Sequence, residues 1–270
     1  MSSAPDLGSL LDLAVDVAHR AGRLLLDGRH GQVEVAATKS SPTDVVTAMD
    51  RASERLIVEA LQTARPGDGV LGEEGAADEG TSGVRWVIDP IDGTVNYLYG
   101  LPSWAVSIAA ESGGETLVGV VHVPPLVETF TAARGQGARR DGVPIQVNPA
   151  VELDRALVAT GFGYEAGRRA EQAAVLAQLL PRIRDVRRAG AAAVDLCSVA
   201  CGRVDAYYER GTQRWDMAAG ALVAAEAGAV VRGLHGAPPS PELVLAASPG
   251  LFAELHEVLA PLETARASAS

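Results

Sequence analysis

Trp86-Val87-Ile88-Asp89-Pro90-Ile91-Asp92-Gly93-Thr94-Val95-Asn96-Tyr97 is the stretch around which the rest of the 270-residue chain is arranged. Its first three residues have the bulk and branching of a buried strand. Proline has no N–H to give a neighbouring strand and biases the preceding residue away from helix. The strand is therefore expected to stop at Asp89-Pro90. The turn that follows carries Asp89, Asp92 and Thr94, with Gly93 letting the backbone come close to something. Like charges this close repel unless something positive lies between them. The crowd points to a divalent cation.

Composition narrows the class. Ala, Val, Leu and Gly dominate and aromatics are few, as in an ordinary soluble α/β protein. The formal net charge of −11 argues against general nucleic-acid binding, because there is no excess of Lys and Arg to neutralise phosphates. The one basic cluster, Arg182 to Arg188, reads as an ordinary solvated segment. No apolar run is long enough to span a membrane, and the N-terminal stretch is broken by Asp12, Asp16 and His19, so it reads as an amphipathic helix and not as a signal peptide. Cys197 and Cys201 read as buried free thiols, which fits a reducing cytoplasm.

Working outward from 86–97, apolar residues at helical spacing predict helices over 7–27 and from about Thr47 to Ala64, the latter opened by a capping box of Thr47 and Asp50. The loop Lys39-Ser40-Ser41-Pro42-Thr43-Asp44 lies between them. Val70-Leu71 predicts a short strand leading into Gly72-Glu73-Glu74-Gly75. Residues 105–110, 116–123 and 127–133 predict a meander, and a hairpin turn is expected at Asp141-Gly142. From about 151 strands alternate with helices: strands at 157–160, 185–187, 205–208, 229–232 and 243–246, helices at 168–180, 191–201, 216–227 and 249–260. This predicts a largely parallel or mixed sheet with helices outside. Two layered halves result, 1–150 and 151–270, with a soft boundary and a disordered tail from 264.

Four acidic groups fall at predicted element ends: Asp44 with Asp50, Glu73 with Glu74, Asp89 with Asp92, and Asp216. Each alone could be a helix cap or a solvated turn. Together they sit where α/β proteins place their sites. Oxygen donors without nearby His or Cys select Mg²⁺, Mn²⁺ or Ca²⁺ over Zn²⁺. Several carboxylates around one centre suggest two or more ions, an arrangement for in-line displacement at phosphorus. From spacing alone, Thr94 is either a water-positioning hydroxyl or a turn residue.

Gly72-Glu73-Glu74-Gly75, Trp86 to Thr94 and Trp215-Asp216-Met217-Ala218-Ala219-Gly220 resemble the signature motifs of the inositol monophosphatase family, in its bacterial inositol-1-monophosphatase branch. The flanks agree: Lys39 to Pro42 before Asp44, and Arg188 to Cys197 before Asp205 to Glu209. The resemblance covers nearly all of 10–260. It implies an αβαβα layered sandwich, a Mg²⁺-dependent, Li⁺-sensitive phosphatase acting on a small phosphate monoester, and a homodimer. It further implies that Glu73, Asp89 and the Ile91 carbonyl hold one Mg²⁺ and that Asp89, Asp92 and Asp216 hold a second. A third, weaker ion would be reached from Glu73. Thr94, oriented by Asp50, would help activate the attacking water. The N–H groups of Gly93 and Thr94 would bind phosphate, and Gly190, Ala192, Glu209 and Asp216 would face the inositol hydroxyls.

Within that resemblance the substrate stays open among inositol phosphate, histidinol phosphate and other sugar phosphates. Glu209 favours a neutral polyol over a second phosphate, though it could pair with the ammonium of histidinol phosphate. Some bacterial relatives also bind the transcription machinery, a reading of a different class. The His residues sit beside none of the motifs and are assigned no role.

Overall fold

The computed structural model describes residues 5–29, 35–38 and 45–267. The Lys39–Asp44 flank noted above lies outside them. Helix α1 (Leu7–Asp27) turns one apolar stripe inward, burying Leu10, Ala14, Val17, Ala18, Ala21 and Leu25, with Asp6 capping its start. A short antiparallel pair, β1 (Val35–Thr38) and β2 (Val45–Thr47), leads into α2 (Ala48–Ala64), whose N-terminus carries the expected box of Thr47 and Asp50.

The larger sheet has the order β10-β9-β8-β7-β6-β5-β3-β4. Its strands are β3 (Gly69–Gly72), β4 (Ala77–Asp78), β5 (Val84–Asp92), β6 (Ala105–Ser112), β7 (Glu115–Val123), β8 (Glu128–Ala133), β9 (Ala138–Arg140) and β10 (Val143–Ile145). All neighbours run antiparallel except β3 and β5, which are parallel. The Asp141-Gly142 hairpin forms as expected, with positive φ at both residues. Strand β5 does not end at Asp89-Pro90. It continues to Asp92, and α3 (Thr94–Tyr99) follows at once. Asp89 pairs with Ser107 and Asp92 with Ala105, so three steps on β5 face two on β6. That extra residue is a bulge, where the missing proline N–H breaks no ladder bond.

The smaller sheet, β12-β11-β13-β15-β14, is mixed. Strand β11 (Leu157–Thr160) lies parallel to β12 (Asp185–Arg187) and β13 (Ala206–Glu209). Strand β15 (Val244–Ala247) is antiparallel to β13 and to β14 (Val230–Arg232). Its helices are α4 (Ala166–Leu179), α5 (Ala192–Ala200), α6 (Arg214–Glu226) and α7 (Pro249–Ala267). Helix α7 runs through Pro261 into the stretch expected to be disordered. Leu251, Leu255 and Leu259 are buried along it, and that packing outweighs the bond lost at proline.

The layers follow from who packs on whom. Helices α1 and α2 cover one face of the larger sheet, α5 and α6 lie between the sheets, and α4 and α7 cover the far face of the smaller one. This is the αβαβα sandwich. The middle layer is made of small residues, with Ala218, Ala219 and Gly220 on α6 and Ala192 and Ala193 on α5. A side chain at Gly119 of β7 would start 2.8 Å from the Ala219 carbonyl oxygen, so the helix backbone rests almost directly on the sheet. On the other face Trp86, Trp104, Tyr97 and Ile88 are fully buried, each contributing roughly 1.5–3 kcal/mol through area removed from water.

Candidate active site

The bulge at the end of β5 aims its acids away from the sheet. Asp89 is buried, and its Oδ1 accepts the Ile91 N–H at 3.0 Å. Asp92 reaches across to the other half of the chain. Its two carboxylate oxygens accept the N–H groups of Ala192 at 3.1 Å and Ala193 at 2.7 Å, at the start of α5. A cap delivered from a hundred residues away supplies the acceptor that α5 lacks locally, since Ala191 offers no side-chain oxygen.

Thr94 opens α3 with its hydroxyl 2.9 Å from Asp50 Oδ1 and 3.1 Å from the Ile91 carbonyl oxygen. Its single proton goes to the carboxylate, the stronger acceptor. Asp50 is fixed in turn by the Thr47 N–H and hydroxyl, at 2.7 and 2.5 Å. Burial raises Asp50 to about 6 against the pull of those bonds. Gly93 takes a left-handed backbone (φ 90°) that lets the chain pass from strand to helix in one residue.

The parallel pairing of β3 with β5 sets Gly72 opposite Ile88, and the Glu73 N–H donates to the Ile88 carbonyl at 3.2 Å. Glu73 therefore leaves the sheet beside Asp89. Asp216 comes from the first turn of α6, where its Oδ2 accepts the Gln213 N–H at 2.6 Å. Glu209 ends β13, with the Tyr207 hydroxyl donating to its Oε2 at 2.9 Å. Gly161 leaves it room, because a side chain there would start 1.9 Å from that oxygen.

Glu73, Asp89, Asp92, Thr94, Glu209 and Asp216 line one cavity of about 400 Å³, with Ile91, Gly93, Gly190 and Ala192 in its wall. Asp50 stands behind Thr94 and is fully buried. Burial is the main reason the acids are hard to ionise, and their neighbours add to it. Asp89 is pushed well above the usual carboxylate range by burial, then by Glu73, Asp92 and Asp216. Burial raises Asp92 to about 7 against the Ala193 N–H. Asp216 is also well above the ordinary range, through burial and then Glu73 and Asp92. Burial lifts Glu209 to about 7, opposed by Tyr207 and Arg188.

Among the described residues, no three His, Cys, Asp or Glu side chains are arranged to hold a metal ion as they stand. Asp92 and Asp216 are turned onto backbone N–H groups. The donor set still fits a hard divalent cation in chemistry: all oxygen, mostly anionic, mutually repelling and facing one cavity. A carboxylate oxygen that accepts one hydrogen bond keeps a lone pair for a second partner.

Several residues of this site escaped sequence reasoning. Tyr207 could have been found from its period-two spacing to Glu209 on a strand. Arg168 and Arg188 also line the cavity. Arg188 belongs to the cluster read as solvated. Arg182, Arg184, Arg187 and Arg188 are all exposed, as that reading expects, and Arg188 in addition contributes to the cavity wall. It opens the Arg188-to-Cys197 flank of the family resemblance, which gave it no role of its own. The described His residues pair elsewhere, His19 with His122 and His235 with His256. Cys197 and Cys201 are free thiols, the first buried and the second half-buried.

The profile of the inositol monophosphatase family matches residues 6–267. The protein named inositol-1-monophosphatase SuhB of Mycobacterium tuberculosis (strain ATCC 25618 / H37Rv) is 49% identical over 231 residues, 82% of this chain and 80% of that protein. The Nus factor SuhB of Escherichia coli (strain K12) is 40% identical over 229 residues, 84% of this chain and 86% of that one. The crystal structure of the extragenic suppressor protein suhB from Bartonella henselae matches with a TM-score of 0.87 at 35% identity, over 93% of this chain and 98% of that chain. No helix among the described residues is long and apolar enough to cross a membrane.

Proposed function

The chain belongs to the inositol monophosphatase family, and we propose that it is a Mg²⁺-dependent phosphomonoesterase that hydrolyses myo-inositol 1-phosphate to inositol and phosphate. The observation that carries this reading is the convergence of Glu73, Asp89, Asp92 and Asp216 on one cavity beside the Thr94–Asp50 pair. Glu73, Asp89, Asp92, Asp216 and the Ile91 carbonyl would hold two or three Mg²⁺, with the acids turning from their present partners. When bound, the ions would neutralise the phosphate dianion, acidify the attacking water and stabilise the leaving alkoxide.

The chain's own groups do the rest. Thr94 spends its proton on Asp50, so a lone pair on its oxygen is free to accept a hydrogen bond from water and aim it at phosphorus. The N–H groups of Gly93 and Thr94 open α3 and have no partners inside the helix, which suits phosphate oxygens. Gly190, Ala192, Glu209 and Asp216 face the sugar. Glu209 sits too close to that position for a second phosphate to be welcome. Arg168 and Arg188 in the same wall disfavour the ammonium of histidinol phosphate, which ranks inositol phosphate first.

The test is phosphate release from inositol 1-phosphate, histidinol phosphate and fructose 1,6-bisphosphate, with Mg²⁺, with EDTA and with added Li⁺. Turnover of the first that needs Mg²⁺ and falls with Li⁺ is expected. No Mg²⁺-dependent turnover of any of them would end the phosphatase reading. The likeness to a protein named Nus factor favours a second reading, a role at the transcription machinery, which a pull-down with RNA polymerase would check.

A further inference from the structure

Arg214 is the first residue of α6, two before Asp216. A cation is poorly placed at a helix N-terminus, where the backbone dipoles are already positive. Its charge is instead carried across to the larger sheet. The guanidinium Nη2 pairs with Glu111 Oε1 and donates to the Thr116 hydroxyl at 3.0 Å. Glu111 is only 4% exposed, at the end of β6. Thr116 donates to the same Glu111 oxygen at 3.3 Å, and Arg85 reaches the other at 3.3 Å. Glu111 and Thr116 pair in register beside the β6–β7 turn. One residue after Arg214, the Trp215 carbonyl accepts the Ser107 hydroxyl at 3.4 Å. Ser107 is the register partner of Asp89.

These contacts form a ruler. Strand β6 lies beside β5, which carries Asp89, and it also grips the turn that carries Asp216. We propose that Arg214, through Glu111 and Thr116, is a positioning residue that fixes where Asp216 stands relative to Asp89. This rests on the phosphatase reading, in which both acids hold Mg²⁺. Arg214 is absent from the cavity lining and touches none of the reacting groups.

The experiment uses Arg214→Ala, Arg214→Lys, Glu111→Gln and the Arg214→Ala/Glu111→Gln double variant in the full chain. Mn²⁺ binding is followed by EPR, and Mg²⁺ activation of inositol 1-phosphate hydrolysis is followed alongside. Arg214→Ala and Glu111→Gln should each weaken Mn²⁺ binding about 10–100-fold, the range for removing a group that orients a ligand. The Mg²⁺ needed for half-maximal rate should rise with it, while KM for the ester at saturating Mg²⁺ stays put. Arg214→Lys should recover most of the affinity. The double variant should bind no worse than Arg214→Ala, since both changes cut one tether. Unchanged Mn²⁺ binding in Arg214→Ala, or simple additivity in the double variant, would overturn the proposal. If Arg214→Ala does not fold, Glu111→Gln decides: weakened binding supports the tether and wild-type binding defeats it. If the wild type binds Mn²⁺ but hydrolyses nothing, the phosphatase reading fails, and the Mn²⁺ titrations still judge the tether.

Discussion

The carboxylate group meets opposite fates in two regions of this molecule. In the cleft, Asp89, Asp92, Asp216 and Glu209 are all harder to ionise than usual, because they are buried among one another. At the start of β8 in the larger sheet, Glu128 is easier to ionise than usual. There the hydrogen-bonded Arg203 outweighs the cost of partial burial, and Arg140 adds to it. Glu128 has its counter-charge built into the chain. The cleft acids are buried and mostly packed against further acids, so folding favours their protonated forms, and a bound cation would relieve the repulsion between their charged ones.

Asp89→Asn strikes this contrast hardest. It should cut kcat about a thousandfold, since the ions it would help hold supply several kcal/mol to the transition state. In EDTA at pH 8 the variant should melt higher than wild type, because a buried and repelled carboxylate has gone. Calorimetry reads the second effect, and a lower melting point would contradict the repulsion described here. Next in size is Thr94→Val, expected to lower kcat about a hundredfold while Thr94→Ser stays within about tenfold. Equal losses in both would mean that the hydroxyl aims nothing.

The pH dependence of the metal-free protein sharpens the comparison further. Asp50 at about 6 and Asp92 and Glu209 at about 7 hold protons in the folded state that the unfolded chain sheds near 4. Their contribution to stability is therefore full at low pH and is lost as pH rises through about 6 to 7. In EDTA the melting temperature should fall between pH 5 and pH 8, and saturating Mg²⁺ should reverse the slope. His122, lowered to about 4 by burial, acts in the other direction and trims the gain on the acid side. A flat profile in EDTA would mean that the cleft acids are not strained by folding. The smallest effect belongs to the outer region. Glu128→Gln should cost under about 1 kcal/mol in urea unfolding, shrink with added salt and leave kcat unchanged.

Most elements could be read from residue periodicity, because both sheets and all long helices hide one face. The exceptions share a cause. Pro90 marks a break by its chemistry, yet a bulge absorbs it within β5. Pro261 likewise should end α7, yet the leucines beneath it hold the helix together. Strands β1, β2 and β4 are too short to carry a period, and α3 is a brief helix starting right after β5. In the site, the acids betray themselves by crowding in sequence, and Thr94 by standing among them. What sequence hid were relations set by tertiary register. Asp92 capping α5, Tyr207 propping Glu209, Arg188 turning into the wall and Glu111 meeting Arg214 each join residues whose nearness only the layers decide.

The hydrogen bonds from Ala192 and Ala193 to Asp92 close loops of 100 and 101 residues. Such contacts come late in folding, after their loop entropy has been met by the sheets around them. On a chain still emerging from the ribosome, the acids before residue 100 wait for a helix that is not yet made. The site is therefore incomplete until nearly the whole sequence has been delivered, and a truncated chain ending before α6 carries most of the acids but lacks Asp216.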